Sequence, residues 1–206
     1  MHDGVLLGGL ACGYGPHIRD ALTTDWRLHD APDDIGHGRL AELLAKADAV
    51  VATKVTRDLP PMPRLRLLQV AAAGYDGIDM TAVPASVPIC NAYGHEDAIG
   101  EYAVMAMTAW RIGFVPTHEA FRAGSWTASS FAGGQPHREL GGSVVLVIGA
   151  GRIGRAIAAR AQAWGCRTIA CNRTLRPAAP EFEALHALDR LDELLPGADF
   201  VVLACG

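Results

Sequence analysis

The chain has 206 residues, half of them hydrophobic, enough to bury one sizeable core or two small ones, so it reads as globular. Its formal net charge of −4, with Lys and Arg spread along the sequence, supplies no basic stripe for counterion release and excludes nucleic acid as a partner. Five cysteines (Cys12, Cys90, Cys166, Cys171, Cys205) in no CxxC spacing read as reduced thiols of a cytoplasmic protein, without structural zinc.

An apolar run after Gly4 closes on Cys12, but no Lys or Arg precedes it, so residues 5–10 are predicted to form a buried first strand rather than a signal segment. A weaker strand follows at 26–29, a helix at 39–47 and a strand at 49–53. Pro60, Pro61 and Pro63 lack N–H donors and mark a loop, after which strands at 65–72 and 87–91 complete a first block. Strands separated by helical crossovers predict a parallel sheet covered on both faces.

Residues 98–112 predict one long helix with apolar residues on nearly every side, among them Ile99, Tyr102, Val104, Met105, Met107 and Trp110. Such a helix belongs between domains or between subunits. It contains Glu101 and falls well short of a membrane span, so no membrane association is expected. A glycine-punctuated stretch, 124–142, leads to a second block. There 143–148 predicts a strand, Gly149-Ala150-Gly151-Arg152-Ile153-Gly154 a turn, and 152–164 a helix with an apolar stripe of Ile153, Ile157, Ala161 and Trp164, ended by Gly165 as a left-handed cap. A second strand is predicted at 167–171, a short helix at 188–195 and a third strand at 200–204.

A GxGxxG string gains meaning from its place between a buried strand and a helix. Gly149 permits the tight turn, Gly151 lets backbone approach a pyrophosphate, and Gly154 lets the helix pack close to the strand. The N–H groups of Arg152 and Ile153, at the positive end of the helix, would face the phosphates. At the end of the second strand, where an NAD-selective site places a carboxylate on the ribose 2′-hydroxyl, this chain has Asn172, then Arg173 and Thr174, with Arg176 close by. A neutral residue followed by a guanidinium accommodates a 2′-phosphate, so NADP(H) is expected over NAD(H), with NAD as the other candidate.

Four stretches in order and spacing resemble the D-isomer-specific 2-hydroxyacid dehydrogenases, which include glyoxylate/hydroxypyruvate reductases and phosphoglycerate dehydrogenases. They are Leu68-Gln69-Val70-Ala71-Ala72-Ala73-Gly74-Tyr75-Asp76-Gly77-Ile78-Asp79, the stretch 91–101, Arg122-Ala123-Gly124-Ser125-Trp126, and Leu140-Gly141-Gly142 running into the glycine turn. The resemblance implies an α/β protein with a flavodoxin-like N-terminal substrate domain at 1–97, an interdomain helix and linker at 98–142, and the first half of a Rossmann dinucleotide-binding domain at 143–206, all with parallel sheets. It implies that backbone N–H groups of Ala73 and Gly74 hold the carboxylate of a small 2-oxo acid such as glyoxylate or hydroxypyruvate, which a glycine turn can do without a bulky side chain in the way. Gly100, where the family usually has alanine, costs helix propensity of about 1 kcal/mol.

The family's catalytic Arg, Glu and His all lie beyond the third strand of the cofactor domain. No catalytic residue is therefore assigned, and the eight histidines read as loop or surface residues; His95-Glu96 lacks the second histidine of a zinc site. With 144–148 left as an apolar edge strand, the expectation is either a C-terminally truncated product or gene fragment, or a chain that covers the open edge by self-association, as in a homodimer. A second reading is a catalytically inactive nucleotide-binding or dimerisation module. A third, another Rossmann oxidoreductase, fits the Ala73-Gly74 stretch and the Arg122-to-Trp126 segment less well.

Overall fold

The computed structural model describes residues 1–126, 133–134, 137–175, 177 and 179–205. It divides into two compact units, Met1–Tyr93 and Gly94–Gly206. Arg176 lies outside the described residues.

The first unit is built on a five-stranded parallel sheet of β1 (His2–Leu7), β2 (Trp26–Ala31), β3 (Ala49–Ala52), β4 (Leu67–Val70) and β5 (Ile89–Cys90), in the order β2-β1-β3-β4-β5. That order is the flavodoxin-like winding. Val5 and Leu6 of β1, Val50 of β3 and Leu68 and Val70 of β4 are fully buried because these inner strands of a parallel sheet are covered by crossovers, whereas the outer β2 and β5 stay partly open. Leu43 and Leu44 of α3 (His37–Lys46) press into the same core, each such side chain contributing about 1.5–3 kcal/mol. β1 stops at Leu7, three residues short of its predicted end. Gly8 adopts φ +89° and turns the chain into two short helices, α1 (Gly9–Gly13) and α2 (Gly15–Ala21), neither of which has a periodicity that marks it in the sequence.

The second unit carries α4 (Glu96–Ile112), α5 (Phe114–Arg122), β6 (Val144–Ile148), α6 (Arg152–Ala163), β7 (Arg167–Asn172), β8 (Ala184–Ala187), a one-turn α7 (Leu191–Leu194) between 3-10 turns, and β9 (Phe200–Leu203). Its parallel sheet has the order β8-β7-β6-β9, a third-second-first-fourth winding of the Rossmann kind. This corrects two expectations. The strand at 200–203 is the fourth of the sheet, because β8 supplies the third. And 144–148 is not an edge: it pairs with β7 from Val144↔Arg167 to Ile148↔Cys171 and with β9 from Val145↔Phe200 to Ile148↔Leu203.

α4 lies against α6. Gly100 is buried at their crossing, and a Cβ there would meet Arg160 Cδ at 2.9 Å and the Ala156 carbonyl oxygen at 3.1 Å. The glycine thus trades helix propensity for close approach. One face of α4, with Val104 and Met107, joins the core of Val145, Val147, Ala158 and Ala161. In the single chain Tyr102, Met105 and Trp110 of α4 stand in solvent, as does Trp164 at the end of the α6 stripe. Arg111 clips the C-terminal end of α4 to the sheet through Asp199 (2.9 Å) and the Ser143 hydroxyl (2.6 Å). No helix among the described residues is long and apolar enough to cross a membrane.

Candidate functional site: the glycine turn and its surroundings

The geometry of the 149–154 turn separates its three glycines. Gly149 has φ +106°, and a Cβ there would lie 2.6 Å from the carbonyl oxygen of Ala204, so backbone conformation and the neighbouring strand both demand glycine. At Gly154 a Cβ would overlap the carbonyl oxygen of Gly149 and stand 3.0 Å from Val147 Cγ1. Helix and strand touch there. Gly151 differs: φ is −80°, and a Cβ would meet nothing within 4 Å.

α6 begins immediately after Gly151, and no described side chain hydrogen-bonds as a cap over its first N–H groups. A helix N-terminus carries a partial positive charge. In front of it lies a cavity of about 370 Å³, lined by Gly149 and Gly151 on one side and by Asn172, Arg173 and Thr174 on the other, with Ile148, Cys171, Leu188, Ala204 and Cys205 completing the wall. The structure therefore brings together residues predicted from two separate segments, the glycine turn and the end of β7. Asn172 is held locally, its Nδ2 donating to the Thr174 carbonyl at 2.9 Å, and Arg173 is exposed. Ile153 is half-buried and Gly154 buried. A larger groove of about 520 Å³ between α4 and α6 is walled mainly by apolar side chains such as Val104, Ile112 and Trp164.

Arg152, predicted for its N–H, also makes a side-chain contact that sequence reasoning did not find. Its Nε donates to Glu96 Oε1 at 2.7 Å. Glu96 opens α4 and is buried, and its other oxygen accepts the Gly94 N–H at 2.7 Å. Its own N–H, the Gly94 N–H and the Arg152 guanidinium hold its carboxyl below the usual range against the opposing effect of burial. The leading signal in the sequence is an acidic residue in a first helical turn, which says nothing of a partner 56 positions on.

In the first unit, Ala73 and Gly74 follow β4 directly. The turn is tied by the Ala92 N–H to the Ala72 carbonyl (3.0 Å) and by Asn91 Nδ2 to the Ala73 carbonyl (2.7 Å). Gly74 is exposed, and a Cβ on it would lie 2.8 Å from Asp76 Oδ2. Val55, which bonds Gly77 and Asp79 on either side, fixes the loop that follows. Among the described residues no group of His, Cys, Asp and Glu is placed to hold a metal ion.

Comparison with known proteins matches this architecture. Residues 104–206 fit the family model for the D-isomer specific 2-hydroxyacid dehydrogenase, NAD binding domain. The chain is 32% identical over 181 residues to D-3-phosphoglycerate dehydrogenase of Mycobacterium leprae, covering 85% of this chain and 33% of that protein. It is 31% identical over 188 residues to glyoxylate reductase of Thermococcus litoralis, covering 86% and 55%. It thus spans between a third and rather more than half of the curated relatives it matches. The crystal structure of a D-isomer specific 2-hydroxyacid dehydrogenase family protein from Aeromonas salmonicida superposes with a TM-score of 0.77 over 99% of this chain and 64% of that one, at 20% identity. A glycine turn opening α6 under a third-second-first-fourth sheet, with a family match running from within α4 to residue 206, leads to one assignment: the chain belongs to the D-isomer specific 2-hydroxyacid dehydrogenase family.

Proposed function

We propose that the 149–154 turn binds a nicotinamide dinucleotide, NADP(H) in preference to NAD(H), and that the protein transfers hydride between this cofactor and a small 2-oxo acid such as glyoxylate or hydroxypyruvate. Gly151 carries the reading. Gly149 and Gly154 are demanded by the protein's own backbone, but neither φ nor packing asks for glycine at 151. A diphosphate drawn against the N–H groups of Arg152 and Ile153 supplies the missing reason, since only a bare Cα lets it approach. Arg173 on the wall of the same cavity, with Asn172 in place of a carboxylate, supports the choice of the 2′-phosphorylated cofactor.

The Ala73-Gly74 turn, tied down by Asn91 and with Ala73 half-buried and Gly74 exposed, is proposed to take the carboxylate of the 2-oxo acid. Relatives named glyoxylate reductase support that substrate class. A second copy of the chain is the proposed partner, supported by the apolar side chains in solvent along α4 and α5 (Tyr102, Trp110, Phe114, Phe121), and five unpaired thiols support a cytoplasmic setting.

The test is a fluorescence titration with NADPH and NADH on the chain and on Gly151→Ala. NADPH is expected to bind more tightly than NADH. The alanine variant is expected to keep its stability within about 0.5 kcal/mol while losing roughly tenfold or more in dinucleotide affinity. Equal binding of the two cofactors removes the NADP assignment, and unchanged affinity in Gly151→Ala removes the site. Turnover of glyoxylate or hydroxypyruvate with NADPH, followed by loss of NADPH absorbance, tests the reaction.

A further inference from the structure

We propose that Glu96 is a positioning residue for the dinucleotide site: it holds the guanidinium of Arg152 in one orientation beside the glycine turn, where that cation meets the diphosphate. The inference rests on the reading of the turn as a dinucleotide site. Both partners belong to the second unit, and two observations link them.

The first is how the carboxylate is used. If Glu96 served only to begin α4, one oxygen on the Gly94 N–H and its own N–H would suffice. Its second oxygen is instead bonded to Arg152 Nε at 2.7 Å, a charge-assisted contact between a carboxylate only 12% exposed and an arginine 68% exposed. The rigid partner is the acid. A guanidinium is planar, so a bond at Nε sets the plane of the whole group. An arginine that exposed otherwise loses rotamer freedom when it takes an anion, and a tether made beforehand removes that cost from binding.

The second observation is the crossing that delivers the pair. Gly100, one helical turn after Glu96, lets α4 approach the Ala156 carbonyl of α6, and the adjacent Asp97 bonds Arg160 at 3.0 Å. Two acidic residues at the start of α4 therefore meet two arginines of α6. Of these, Arg152 belongs to the glycine turn. The clasp of Gly149 and Gly154 sets the backbone of that turn, and Glu96 sets its one cationic side chain.

The experiment compares the wild-type chain with Glu96→Gln, Arg152→Ala and the double variant by NADPH fluorescence titration, with adenosine 2′-monophosphate as a competitor that lacks the diphosphate. Glu96→Gln keeps the volume and an acceptor for the Gly94 N–H but loses the charge. It is expected to weaken NADPH about tenfold, as is Arg152→Ala, with the double variant no weaker than Arg152→Ala alone. Competition by adenosine 2′-monophosphate should be unchanged throughout, which a general loss of structure would not allow. Unaltered or tighter NADPH binding by Glu96→Gln, additive losses in the double variant, or an equal loss of the monophosphate overturns the proposal. Should Glu96→Gln fail to fold, Arg152→Lys takes its place. Its ammonium meets Glu96 as a point charge and fixes no plane, so the same weakening is expected, and wild-type affinity overturns the proposal. A wild-type chain that binds no NADPH defeats the dinucleotide reading itself, whereas wild-type binding with an indifferent Glu96→Gln defeats only this inference.

Discussion

Placing a methyl group at Gly154 would drive it into the carbonyl oxygen of Gly149, and neither atom can yield without separating α6 from β6. Gly154→Ala is therefore expected to destabilise the second unit by about 3 kcal/mol, at the upper end of overpacking penalties. A urea denaturation midpoint checks it; a wild-type midpoint would mean that helix and strand are not in contact. The same reasoning grades the residues around the turn by what each one answers to. Gly149 answers to a left-handed φ and to Ala204, Asn172 to its own Thr174 carbonyl, and Arg173 to the cavity it lines.

At the scale of elements, charges gather where β1 and β3 begin. Asp48 is buried and accepts the Asp3 N–H at 3.0 Å, with Arg64 at 3.2 Å; Asp3 in turn bonds His29 at 2.9 Å. The Asp3 N–H and then Arg64 hold the Asp48 carboxyl below its usual value, and the His29 hydrogen bond does the same for Asp3. For a carboxyl lowered in the folded state, the stability it contributes is present above the unfolded value of about 4 and is lost as pH falls through the lower folded value. Denaturation midpoints should therefore drop below about pH 4. Asp48→Asn, which retains an acceptor for the Asp3 N–H, should flatten part of that drop; an acid limb of unchanged steepness would show that the cluster contributes nothing. The elements also divide by how they are written in the sequence. Strands buried on both faces, such as 144–148, are continuous apolar runs, and the helix of Ile157 and Ala161 has a clear period with Gly165 in φ +79° at its end, where Cys166 N–H bonds Ala161 and Gly165 N–H bonds Gln162. β8 has no such mark. Ala184, Leu185, His186 and Ala187 are all half-buried without alternation, and they form a strand because β7 offers them an edge from Ile169 to Asn172. Missing β8 displaced the strand at 200–203 to the wrong side of the sheet. The glycine turn was legible because local conformation dictates it, and the Asn172-Arg173-Thr174 corner because it follows a strand that the sequence marks, whereas Glu96 was not, because a helix crossing far along the chain decides its partner.

At the scale of the whole molecule, the two units have separate hydrophobic cores, one drawn from residues between Val5 and Val87 and the other from residues between Val104 and Phe182. A ligand stabilises the structure it binds and lends nothing to amides that open independently of it. Hydrogen exchange measured with and without NADPH should therefore show added protection in β6, α6 and β7, and none in α3 or β1. Protection spread evenly over both units would contradict separate cores, and protection confined to the first would displace the nucleotide from the glycine turn.

The demand for glycine at both 149 and 154 has a historical corollary. A descendant that had abandoned its coenzyme would still be obliged to keep both, because the strand-to-helix corner collapses without them. Its middle glycine, at 151, would be released to mutate into any small side chain at no structural penalty. Of the three positions, that one alone is a ledger of whether phosphate still visits the fold.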